Sequence, residues 1–424
     1  MTRGNLEETH WGRIAQLYAA RILGLVVGAG LSIVAARLLG PERQGDFATL
    51  KSAVLLGAQV ANVGLSSSLM ILFSKRRARV ARYRSSLWIW PTVIAASLAI
   101  AGAVFYCNGG ARPGPALWFL ATAWLPLQLM LLIQSSTLIA LGETRALGYL
   151  EAGGRVAAFG LGTTSLLLFH SRVDLFALAL VGADLMVVAA GAFYLRSVES
   201  APASRRRNTR PFLAAAFRLG LRAYPVLLIP FLLIRSDILL VAFFRGAREA
   251  GIYSIAAQLI DLGLVLPSTI AALVLPSLTR SVDPASLIRR TFRPLLMILA
   301  GLSVLMAAGG SVGVRLLFGA RYAEAYPALL LLLPGFVCLG LEGLLAQYFA
   351  ARRFPPFITY SWLAAFAINL ALNLAFLPRF GFLVAAASSS VGYALIFGAL
   401  AWRFRRETSL GLSALWAPSQ GISA

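Results

Sequence analysis

Acidic residues are scarce in this chain of 424 residues: 16 Asp and Glu stand against 38 Lys and Arg, for a formal net charge of +22. Charge of either sign makes up only 13% of the chain while 59% is hydrophobic, and mean hydropathy is +0.79. That balance excludes an ordinary soluble globular domain. Histidine is confined to His10 and His170, and cysteine to Cys107 and Cys338. Two isolated thiols in different apolar surroundings form neither a disulfide framework nor a metal site. The chain also lacks a Gly-rich phosphate loop followed by Lys and any metal-ligand cluster. Its outward connections are too short to present an acid, a base or a carboxylate pair in an ordered loop, so no enzyme is expected. No cofactor is expected either, beyond a coupling Na+ or H+.

What is abundant is apolar sequence in runs of spanning length, which takes roughly 20 residues. The first set covers residues 14–39, 47–73, 86–106, 116–141, 154–170 and 173–195. The second covers 219–244, 251–277, 294–317, 325–350, 357–377 and 382–402. These predict an all-α membrane protein of about 12 transmembrane helices. Met1 to Arg13 is polar and the first apolar run is long, with no small-residue cleavage site after a short core, so a retained span is expected.

The basic charge follows loop parity. One set of alternate connections, with the two ends, carries Lys75, Arg76, Arg77, Arg79, Arg82, Arg84, Arg145, Arg155, Arg196, the Arg205 to Arg222 group, Arg280 to Arg293, Arg352, Arg353 and Arg403 to Arg406. The other set is far poorer, with Arg37, Arg43, Arg112, Arg172, Arg245, Arg248, Arg315, Arg321 and Arg379. The positive-inside rule converts that bias into an even number of spans with both termini cytoplasmic. Charge spent on orientation removes the reason to expect a nucleic-acid partner; membrane lipids are the expected surroundings.

A polar, Arg-rich connection near the middle of the helical region divides the chain into residues 1–195, a basic cytoplasmic linker at 196–212, and residues 213–424. Each half has the same turn after its first helix. Gly40-Pro41-Glu42-Arg43-Gln44-Gly45 is matched by Gly246-Ala247-Arg248-Glu249-Ala250-Gly251, each followed two residues on by an aromatic, Phe47 or Tyr253. An internal duplication of a six-helix unit follows, with both copies in one orientation because six is even.

Four segments resemble the multidrug/oligosaccharidyl-lipid/polysaccharide exporter superfamily, and within it the polysaccharide-biosynthesis oligosaccharide flippases. They are Ala35 to Gly45; Asp237 to Leu240 with Gly251 to Ala256; Leu317 to Ala325, with its Phe318-Gly319 followed by Tyr322; and Asn369 to Asn373 with Leu377 to Gly381 and the small-residue run Ala385 to Ser390. The resemblance implies two six-helix lobes in a V-shaped exporter fold around a central cavity. It implies transport by alternating access, with polyprenyl-diphosphate-linked oligosaccharide moved from the cytoplasmic to the outer leaflet for exopolysaccharide biosynthesis, coupled to an ion. A polysaccharide polymerase and glycosyltransferases would then be its partners. A cation-coupled multidrug exporter of the same fold is the alternative, followed by a peptidoglycan lipid II flippase, for which fourteen helices would be expected.

Ionisable groups inside spans are functional candidates because their insertion is costly. A lipid diphosphate needs cations, preferably the planar donor fork of Arg. Arg21 and Arg235, on the first helix of each half, are therefore expected to contact pyrophosphate, with Lys51 as a third; snorkelling is the structural reading of Arg21 and Lys51. Asp237, Asp261 and Glu342 are the candidates for ion coupling or gating. Arg235 and Asp237 are two residues apart on one helix and cannot simply neutralise each other. Two readings follow: an Arg235 to Asp261 pair locking two helices, or a cation or proton site at Asp237. Gln59, Asn62, Gln128 and Gln134 suit sugar hydroxyls or, equally, helix-to-helix hydrogen bonds. Asn369 and Asn373 share one helix face, and Gly24 and Gly28 form a small-residue face for close packing.

Overall fold

The computed structural model describes residues 3–74, 83, 87–107, 115–169, 172–197, 210–281, 283–352 and 355–408, with the side chains of 3–22, 102–107, 115–118, 210, 276 and 280 left aside. Most of the expected linker at 196–212 lies outside these residues. Twelve α-helices and no strand occur among the described residues. They are α1 (Arg3–Asn62), α2 (Leu65–Ser74), α3 (Ile89–Cys107), α4 (Pro115–Leu141), α5 (Thr144–Leu168), α6 (Val173–Ser197), α7 (Arg210–Arg245), α8 (Ala247–Arg280), α9 (Pro284–Leu317), α10 (Ala325–Ala350), α11 (Phe357–Phe380) and α12 (Leu383–Thr408). Nine helices among the described residues are long and apolar enough to cross a membrane.

The fold is the predicted all-α membrane architecture, with helix ends that differ from the hydropathy reading. α1 holds the first expected span and most of the second, because it is broken at Gly40, where φ is 74° and ψ 172°; the second, expected to be unbroken over 47–73, is cut after Asn62 and finishes in α2. The corresponding glycine of the second half, Gly246, has φ 86° and ψ 176° and separates α7 from α8. Only glycine takes this positive-φ, extended-ψ conformation without cost, so the sequence repeat is also a conformational repeat. The span expected over 154–170 belongs to a helix that starts ten residues earlier, at Thr144. The hydropathy reading cuts that helix at its last charge, Arg155, although nothing in the backbone interrupts it. α9 likewise starts at Pro284, ahead of the expected 294, because Asp283 caps it by accepting from the Ala285 and Ser286 amides at 3.1 Å.

A second break lies at Val63 and Gly64, both with positive φ. It orphans carbonyls at the end of α1, and long polar side chains take them: Trp90 Nε1 donates to Ala61 O at 2.6 Å and the Tyr224 hydroxyl to Val60 O at 2.8 Å. Asn62 bridges the gap, its amide nitrogen donating to Ser66 Oγ at 2.8 Å and its oxygen accepting from the Ser66 amide at 3.1 Å.

Two compact units emerge. Unit 1 comprises Met1–Gly40 and Leu50–Leu228, and unit 2 comprises Pro41–Thr49 and Ile229–Ala424. In unit 1, α4 packs on α2, α3 and α6, burying Leu129, Met130, Ile133 and Leu138. In unit 2, α10 is central, packed on α8, α9 and α12. Burial covers 61% of the most apolar stretch of α10 but only 11% of that of α9, which nevertheless exposes Val304, Leu305, Val312 and Leu316. Such an apolar outer face is stable only against lipid, so the chain is a multi-pass membrane protein.

Within unit 2 the two repeated turns meet backbone to backbone. A Cβ on Gly45 would fall 1.7 Å from the Ala247 carbonyl oxygen, and a Cβ on Gly251 would fall 1.9 Å from that of Pro41. Neither position has room for any side chain.

Candidate functional site

The densest polar cluster inside the described helices surrounds Asp237 in unit 2. Asp237 is 2% exposed, and four helices contribute to its surroundings. From α8, the Tyr253 hydroxyl donates to Oδ2 at 3.0 Å. From α12, Ser389 Oγ donates to the same oxygen. From α11, Asn373 Nδ2 lies 3.5 Å from Oδ1. The asparagines are positioned in turn. Asn369 Nδ2 donates to Ser388 Oγ and Ser389 Oγ at 3.2 Å, and Asn373 Nδ2 donates to Asn369 O at 3.0 Å and to Asn369 Oδ1 at 3.2 Å.

Helix periodicity explains the convergence. Asn369 and Asn373 are one turn apart and fully buried, while the small residues Ala385, Ala386, Ser388 and Ser389 let α12 approach closely. Every contact to Asp237 is with a neutral group, and no ion pair among the described residues reaches it. One acceptor is left over: Asn373 Oδ1 is buried without a hydrogen-bond partner. The nest thus offers carboxylate, amide and hydroxyl oxygens from four helices, the donor set suited to a hard monovalent cation or to a proton on the carboxylate. No group of three or more His, Cys, Asp or Glu occurs among the described residues.

Arg235, two residues away on α7, faces elsewhere and pairs with Asp261 of α8, Nη1 to Oδ2 at 2.7 Å. The pair is about one-third exposed on each side. The helix-locking pair and the Asp237 nest, set out above as alternatives, coexist. Arg235 is therefore already compensated, which weakens the expectation that it meets pyrophosphate. Glu342 on α10 is buried, 6% exposed. It stands apart from the nest.

In unit 1 the partly buried carboxylate of Asp184 on α6 accepts from Trp124 Nε1 at 2.6 Å and from Gln128 Nε2 at 2.5 Å, both on α4. Lys51 is exposed and within electrostatic reach of Asp184. Gln134 is buried and spends its amide on Val188 O at 2.9 Å. Gln128, Gln134 and Asn62 are thus engaged with the protein, while Gln59 is half-buried. Arg21 lies on α1, and its side chain is outside the described ones.

The sequence reading did not single out Trp124, Tyr253 or Arg155 as site residues. Tyr253 was visible as the aromatic of a repeated turn and within Gly251 to Ala256. Arg155, counted with the connections, lies on α5 as its twelfth residue, inside the span. Its signal was available: residues 144–153 continue the helix without Pro.

No protein-family model and no curated protein sequence matches the chain. Solved structures do. The lipid II flippase MurJ in an inward closed conformation matches with a TM-score of 0.78 and 12% identity, over 94% of this chain and 89% of that one. An inward-facing multidrug resistance MATE family transporter of the MOP superfamily matches with a TM-score of 0.66 and 14% identity, over 96% and 99%. A MOP superfamily transporter from Pyrococcus furiosus, described by the reverse polarity of its binding pocket, gives 0.66 and 14% over 96% of both chains. The chain therefore has the fold of the multidrug/oligosaccharidyl-lipid/polysaccharide exporters.

Proposed function

We propose that the chain is an ion-coupled flippase that moves polyprenyl-diphosphate-linked oligosaccharide from the cytoplasmic to the outer leaflet of a bacterial inner membrane by alternating access, with both termini cytoplasmic. The Asp237 nest is the observation that carries this reading. A carboxylate enclosed by four helices and answered only by neutral groups needs a proton or a cation for its charge, since ionised carboxylates are not left bare in low dielectric. A passive scaffold has no use for such a group, whereas a transporter uses its loading and release to bias one conformation over another.

The basic character of the groups in the spans supports an anionic substrate. Arg21, Lys51 and Arg155 lie on helices of unit 1, where a drug exporter for organic cations would be expected to gather acids and aromatics. The fold likeness supports export, and the higher TM-score to a lipid flippase favours lipid II as the second reading. Polysaccharide polymerase and glycosyltransferases are the proposed functional partners.

Deleting the gene and measuring lipid-linked saccharides on each leaflet tests the proposal. Complete lipid-linked oligosaccharide should accumulate on the cytoplasmic side and be cleared by wild type but not by folded Asp237→Asn protein. Accumulation of lipid II instead would select the second reading. Normal leaflet distribution with lost resistance to organic cations would select drug efflux and sink both.

A further inference from the structure

Arg155 sits eleven residues into α5, about 16 Å from the helix start at the standard helical rise. It rests on the glycine face of α1, within unit 1. Its Cδ lies 2.9 Å from where a Cβ of Gly24 would be, and its Nη1 lies 2.8 Å from where a Cβ of Gly28 would be. Phe159 covers Gly30 and Leu31 reaches Gly162, so α1 and α5 run side by side in the same direction.

This register fixes where the charge points. Between Cδ and Nη1 the side chain passes from Gly24 to Gly28, one turn towards the C-terminal ends of both helices. A snorkelling arginine here would do the reverse, reaching back towards the start of α5 and its neighbouring Arg145. The guanidinium is instead carried deeper into the span. No ion pair or hydrogen bond of Arg155 occurs among the described residues, and Glu151, one turn earlier on the same helix, does not bridge to it. Arg155 is also exposed as a residue, so the side chain is not enclosed by other helices of unit 1. A cation held deep in a span without a carboxylate is costly unless an anion visits it.

We infer that Arg155, lying in the Gly24 and Gly28 trough, is a phosphate-binding residue of unit 1 that takes the diphosphate of a polyprenyl-linked substrate. The inference rests on the substrate class proposed above and assigns the contact to a residue other than Arg235. The guanidinium fork suits two phosphate oxygens at once, which a lysine cannot match. The glycines keep the trough wide enough for the fork to lie flat.

The test uses the full chain in neutral phosphatidylcholine nanodiscs, with fluorescent polyprenyl diphosphate as probe and inorganic pyrophosphate and phosphatidylglycerol as competitors. Arg155→Gln should weaken polyprenyl diphosphate binding by about tenfold or more, the scale of a lost charged hydrogen bond. Arg155→Lys should recover part of it, and Arg235→Gln should leave it within about twofold of wild type. Gly28→Val keeps the charge but displaces the guanidinium, and should weaken binding at unchanged thermal stability. Wild-type affinity in both Arg155→Gln and Gly28→Val would overturn the inference, as would equal competition by phosphatidylglycerol, which would make the site a bulk headgroup contact. Competition by pyrophosphate supports recognition of the anhydride itself. The two proposals fail separately. Lost binding in Arg155→Gln with normal leaflet distribution in the deletion strain removes the flippase reading and leaves the anion site. Blocked flipping in the deletion strain with full Arg155→Gln binding does the opposite.

Discussion

The two units handle intramembrane charge differently. Unit 2 answers its own charges: Arg235 has Asp261 at 2.7 Å, and Asp237 has hydroxyls and amides from three other helices. Unit 1 is less self-sufficient. Asp184 is held by two donors from one helix, and Arg155 rests on glycines with no anion among the described residues. A compensated charge network is a rigid element or a closed ion site, whereas an uncompensated cation is chemistry held ready for something that arrives.

The largest effect should come from Asp237. Asp237→Asn keeps shape and hydrogen-bonding capacity while removing the ionisable group, so a purified variant of near wild-type thermal stability should show no ion-dependent transport in proteoliposomes. Transport equal to wild type would erase the distinction between the units. Next is Gly45→Ala or Gly251→Ala, where the new methyl has nowhere to go. Overpacking of this kind should cost about 1–3 kcal/mol, read as a lower unfolding midpoint in detergent.

Third, Asp261→Asn strands Arg235. Because both partners are about one-third exposed, solvent screening discounts the penalty to about 1–2 kcal/mol. Replacing both with Met should return most of it, whereas the same exchange at Arg155 alone should cost little stability. The smallest effect is expected at Asn62→Ala, which removes the bridge across the break before α2 and should cost about 1 kcal/mol by thermal unfolding.

Sequence reading reached the spans because lipid demands long apolar helices, and it reached the repeat because glycine at positive φ leaves a mark in the composition of a turn. It reached the Arg235 and Asp261 pair through equal depth on adjacent helices. It could not choose between that pair and an Asp237 site, since Tyr253, Asn373 and Ser389 meet Asp237 only through tertiary packing across three other helices. Arg155 was misplaced for a different reason: hydropathy assigns charges to loops, yet a helix continues wherever backbone hydrogen bonds permit. Asn62 looked like a sugar contact because the break at Val63 involves no proline and gives a sequence reader no warning.

Within unit 2, the contact between the repeated turns is reciprocal. Gly45 lies on residue 247 and Gly251 on residue 41, positions that correspond when the copies are aligned. That reciprocity is the signature of an isologous patch, the self-complementary surface through which identical subunits pair about a twofold axis. Each glycine is thus set against the backbone of the other turn, and a side chain at either one would have to push the two turns apart.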